Sequence, residues 1–87
     1  MTKRTGYTRG FDRKTGKDLL DRAATIAKKA GHLKLGMDLD IASMDCLDSR
    51  DISKSSIIAA LDSATLKLTG GDKDKMSDLA YIASAML

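Results

Sequence analysis

The chain has 87 residues, with 15 Lys plus Arg against 12 acidic residues and a net charge of +3. That length holds one small domain, and the mild excess of positive charge is far from that of a histone-like protein. An apolar share of 43% and a charged share of 31% match globular averages and exclude wholesale disorder.

Proline, Trp, Glu, Val, Asn and Gln are all absent, so every acidic residue is Asp. Lack of Pro suits uninterrupted helices, and lack of Val argues against a strand-rich fold. The single Cys46 makes an intrachain disulfide impossible, and together with the single His32 it builds no metal cluster. No metal and no other cofactor is therefore expected. The sequence has no 18-residue apolar run and no apolar segment after Met1, which predicts a cytoplasmic protein that does not enter a membrane.

Residues 1–16 read as a basic arm. Lys3, Arg4, Arg9, Arg13 and Lys14 face a single acid, Asp12, and Gly6, Gly10 and Gly16 interrupt any apolar stripe. Residues 17–87 then form the helical domain. The first helix is predicted to start at Thr15 or Gly16, with Thr15 and Asp18 imitating a capping box. Leu19, Ala23, Ile26 and Ala30 recur at helical spacing, Lys28 and Lys29 suit the last turn, and Gly31 suits the stop.

Residues 32–50 fit two templates. Leu33, Leu35, Met37, Leu39 and Ile41 alternate with polar or small residues as in a strand, whereas Met37, Ile41, Met44 and Leu47 keep helical spacing. The period continues past Ser43, which favours a loop through Gly36 and a helix over residues 38–48. A very short strand at residues 33–35 is the alternative.

A third helix, capped by Asp51 or Ser53, carries Ile57, Ala60, Leu61, Ala64 and Leu68 and is expected to end at Gly70 and Gly71. A last helix from Asp72 or Asp74 carries Met76, Leu79, Ala80, Ile82, Ala83 and Met86. The fold class is all-α, a small four-helix bundle behind a basic N-terminal arm. Eleven alanines imply close helix approach with little area buried per residue, whereas a fully buried Leu contributes about 1.5–3 kcal/mol. That shortfall favours covering by a partner or by a second copy in a homodimer.

Three chemical motifs fail on spacing. Residues 10–18, GFDRKTGKD, place five residues between the glycines where a phosphate loop needs four, and Asp18 stands where its hydroxyl residue belongs. The Asp38/Asp40 and Asp72/Asp74 pairs lack the Gly and the terminal Glu of a calcium loop. His32 and Cys46 form a thiol–imidazole pair only if the fold joins them, and Cys46 reads instead as a small core residue. Enzymatic activity is not expected.

Two surfaces remain as candidate sites. Tyr7 and Phe11 lie among Arg4, Arg9, Arg13 and Lys14, a pattern that suits bases stacked on aromatics and phosphates held by cations. The same aromatics equally suit folding back to cover an alanine-rich core. Charge is also segregated: residues 38–51 hold five acids and one cation, and Asp38, Asp45 and Asp48 approach one stripe of a helix.

Residues 51–68, DISKSSIIAALDSATLKL, are similar to the second helix of ribbon-helix-helix proteins. That resemblance implies a dimeric DNA binder with residues 38–50 as the first helix and residues 32–36 as a ribbon turning His32 and Lys34 toward the groove. The expectation drawn from all of this is a small non-enzymatic module that docks on a larger protein and modulates it, through Asp38, Asp45 and Asp48 or through Tyr7 and Phe11. The alternative is a nucleic-acid-binding regulator using Arg4, Arg9, Arg13, Lys14, Lys17, His32 and Lys34.

Overall fold

The structure, a computed structural model, describes residues 13–48 and 52–86. It is an all-α four-helix bundle: α1 spans Arg13–Lys29, α2 Leu33–Asp48, α3 Lys54–Lys67 and α4 Gly70–Met86. Residues 1–12, and with them Arg4, Tyr7, Arg9 and Phe11, lie outside the described residues.

Helix α1 starts earlier than its capping pattern predicts. Thr15 and Asp18 lie inside the helix, and Gly16 is buried. Leu19, Leu20, Ala23, Ala24 and Ala27 form its inner face. Gly31 ends it as expected, in the left-handed region at φ 90°. The His32 amide donates to the Ala27 carbonyl at 2.9 Å and the Gly31 amide to the Lys28 carbonyl at 3.0 Å, the paired bonds of a Schellman cap.

Helix α2 follows at once, with the His32 carbonyl accepting from the Gly36 amide at 2.9 Å. The expected loop through Gly36, the short strand at residues 33–35 and the ribbon at residues 32–36 are all replaced by helix. The cause is a pair of apolar stripes on one helix. Leu39 and Cys46 are buried and Leu35 and Ala42 are partly buried on one side, while Leu33, Met37, Ile41, Met44 and Leu47 point outward. Two interleaved helical stripes read in sequence like alternation.

Ser53 caps α3 through a capping box with Ser56: the Ser56 amide donates to Ser53 Oγ and the Ser53 amide to Ser56 Oγ, at 3.3 and 2.9 Å. Ile57, Leu61 and Ala64 are buried. Gly70 and Gly71 do not end α3 but begin α4. Leu68 leaves helical geometry at φ −105°, ψ 167° while its side chain stays buried. The Thr69 carbonyl then accepts from the Lys73 amide at 3.3 Å.

The chain is therefore two hairpins, α1–α2 and α3–α4, joined mainly through α1, which touches all three other helices. Helix α2 packs chiefly on α1 and only lightly on α3. The described residues extend 47 × 23 × 15 Å, an elongated slab. In such a slab a helix at the margin has one covered side.

Where α2 meets α1, small residues set the separation. A Cβ on Gly36 would stand 2.5 Å from Lys28 Cγ and 3.3 Å from the Ala24 carbonyl oxygen. Gly36→Val should therefore lower unfolding free energy by about 2 kcal/mol, as overpacking of a tight contact does. Urea denaturation reads this, and an unchanged midpoint would refute the close approach.

Candidate docking face on α2

Three polar contacts between the helices fix how α2 is rotated on α1, and a fourth, within α1, orients Asp21. Ser43, one of the few buried polar side chains, donates from Oγ to Asp21 Oδ1 at 2.5 Å. Lys17 Nζ meets the other Asp21 oxygen at 2.7 Å. Lys28 Nζ pairs with Asp40 Oδ2 at 2.5 Å. Arg13 Nη1 donates to the Cys46 carbonyl at 2.8 Å, placing a cation at the C-terminal end of α2, where the helix dipole favours one.

Asp21 is held below the ordinary carboxylate range, first by the Lys17 hydrogen bond and then by that from Ser43. Lys17 is raised in turn, mainly by its hydrogen bond to Asp21. Burial pushes the Cys46 thiol up, so it stays protonated. His32 is exposed at the start of α2 and Cys46 is buried near its end, about 20 Å apart along the helix. The structure does not bring them together.

With the rotation fixed, Leu33, Met37, Ile41, Met44 and Leu47 are 55–64% exposed. They are five of the eight large apolar side chains that the described residues leave exposed; Leu66, Tyr81 and Met86 are the others. At 100° per residue the five fall within an arc of about 120° and run the length of α2. The patch is on the order of 500 Å², toward the upper end for a monomer's largest.

Acids border it. Asp38 and Asp45 are exposed on the edge away from α1, next to Lys34, while Asp40 lies on the opposite edge. Asp48 closes α2, but its side chain lies outside the described residues. Near the first turn of α2 a shallow groove of about 430 Å³ is lined by Leu33, Lys34, Leu35, Asp38, His32 and Lys67, with Gly31.

The structure thus separates the two sets of site residues read from sequence. Asp38 and Asp45 share the border of the apolar stripe. Among the cations, Arg13 and Lys17 are engaged within the hairpin, Lys14 is exposed on α1, and His32 and Lys34 are exposed at the start of α2. Sequence reasoning did not assign the stripe itself to a surface. The signal was the pairing of Gly36 with Ser43 on the opposite side of α2, because small residues mark the side that meets a neighbour closely.

Comparison with protein-family models, with curated proteins and with solved structures gives no match. Among the described residues no helix is long and apolar enough to cross a membrane, and no group of three or more His, Cys, Asp or Glu side chains is placed to hold a metal ion.

Two outcomes check this geometry. Asp21 contributes stability above its ordinary pKa and loses it as pH falls through its lowered value. Wild type should therefore lose more thermal stability between pH 6 and pH 2 than Asp21→Asn does, and parallel losses would remove the Asp21 network. Native Cys46 should resist an aromatic disulfide reagent and react once urea unfolds the chain. Rapid native labelling would contradict its burial.

Proposed function

We propose that this protein is a non-enzymatic protein-binding module that docks a basic, apolar helical segment of a larger partner on the α2 face. The observation that carries the reading is the continuous exposed row of Leu33, Met37, Ile41, Met44 and Leu47 on one helix. A row at this spacing accepts the apolar side of an amphipathic helix. Two methionines within it supply side chains that adapt to an imperfect fit. Asp38 and Asp45 on the border select cations beside the partner's apolar residues and disfavour acids.

The nucleic-acid reading is weaker on the described residues. Arg13 bridges the hairpin and Lys17 is paired with Asp21 within α1, and the acids of α2 would repel phosphate beside the exposed apolar row.

A synthetic helical peptide with Leu at helical spacing and Lys on the flanks tests the proposal. It should bind saturably in fluorescence anisotropy, and its Glu-flanked counterpart should not. Met37→Lys with Ile41→Asp should abolish binding while leaving the circular dichroism melt unchanged, because neither side chain is in the core. Asp38→Lys with Asp45→Lys should weaken binding about tenfold, as expected when two close charge pairs at a border are removed. Equal binding of both peptides, or no binding of either, would rule the face out.

A further inference from the structure

We infer that the α2 face pairs with the same face of a second copy of this chain, the two α2 helices running antiparallel about a two-fold axis at Ile41. The inference takes the docking face proposed above as its site and so rests on that reading. It adds that a partner competes with the dimer. Three observations converge on it.

The first is the order of side chains in the row. Along α2 the exposed residues are Leu33, Met37, Ile41, Met44 and Leu47, and the same residue types follow when the row is read backwards. A two-fold contact sets one patch against its own reversed copy. Antiparallel pairing therefore places Leu33 of one copy on Leu47 of the other, Met37 on Met44, and Ile41 on Ile41. The three pairings agree in register to within one residue, about 1.5 Å along the axis.

The second is charge. Lys34 and Asp45 are both exposed on the edge of the row away from α1. In the antiparallel pair this edge lies on the same side of both copies. Each Lys34 stands beside Asp45 of the other copy, displaced by about 3 Å along the axis. On the opposite edge the two Asp40 side chains approach the axis, each already paired with Lys28 of its own chain. A parallel pair would instead set Asp38 beside Asp40 of the other copy, like charge on like.

The third is area. A standard interface covers roughly 800 Å² per partner, and about 65% of a homodimer interface is apolar. The apolar share required is thus about 500 Å² per copy, the size of the exposed row.

Lys34 of the second copy supplies at the border the cation that a partner helix would bring. The face is accordingly open in dilute protein and closed in concentrated protein, and the apparent affinity of a partner falls as the dimer fills.

Measurements on the full chain test this. In sedimentation equilibrium the chain should be half associated at about 10 μM, the weak end of the range for an interface of this size. Ile41→Asp should abolish association without changing the circular dichroism spectrum. Lys34→Asp should weaken association about fivefold, and adding Asp45→Lys to it should restore it, as a pair of opposite charges requires. Oxidation should cross-link a mixture of Leu33→Cys and Leu47→Cys proteins but neither alone, native Cys46 being buried. A chain that stays monomeric at every concentration while binding the Lys-flanked peptide overturns the inference and leaves the partner reading standing. Association that survives Ile41→Asp, or cross-linking of Leu33→Cys alone, also overturns it. A dimer in the expected register with no binding of either peptide upholds the inference and removes the partner reading.

Discussion

The approach of α2 to α1 at Gly36 governs the rest of this molecule. With no side chain at position 36, the Lys28 stem and the Ala24 carbonyl come within contact distance of the α2 backbone. Helices drawn that close interlock through small residues, and Ala23, Ala24 and Ala27 supply them on the α1 side. Rolling α2 about its axis to bury its larger stripe would force the helices apart. It would also break Ser43 from Asp21 and Lys28 from Asp40, and leave Asp21 without one of its donors. The fold gives up the larger hydrophobic area to keep the tighter fit, and the outward row of leucine, methionine and isoleucine is the result.

The same constraint explains which parts of the structure could be read from the sequence. Helices α1 and α3 each have one apolar stripe with stop or cap residues in the right places, Gly31 and Ser53 among them, so their existence and inner faces were legible. Helix α2 was not, because apolar residues on two sides erase the amphipathic signature that distinguishes helix from strand. The start of α4 was misplaced for another reason. Leu68 turns the chain with its own backbone while keeping its side chain buried, so the glycines after it were left to begin the next helix. Asp38 and Asp45 were identified as candidates by charge alone. The apolar row beside them became a surface only once packing decided which stripe faced inward.

Charge segregation in the sequence has a structural use inside the molecule. Helix α1, with six cations against two acids, and the acid-rich α2 meet as the two arms of one hairpin. Lys28 reaches Asp40 across it, and Arg13 reaches the Cys46 carbonyl near the C-terminal end of α2. Pairs this exposed add little stability each, but they fix a rotation and a register, and that orientation determines the outer face. Among the described acidic side chains of α2, Asp38 and Asp45 are not engaged in this way, and they border the stripe on the edge away from α1. Acids left over from holding a hairpin are thus positioned to select a cationic visitor.

An alanine-rich core and an uncovered leucine–methionine row are two consequences of one allocation of side chains. Beyond residue 20 the buried side of α1 is all alanine, so the core gains little per residue there, while residues able to gain more face water. Anything that covers the row stabilises the folded chain in proportion to its own binding free energy, because the unfolded chain presents no such row. The stripe residues lie outside the core and touch little else within the fold. Polar replacement there should leave the folded state nearly as stable when the face is empty and remove the stabilisation that an occupant confers. That separation distinguishes a surface built for an occupant from a core that is merely incomplete, since in an incomplete core the same replacements would destabilise the empty protein as well.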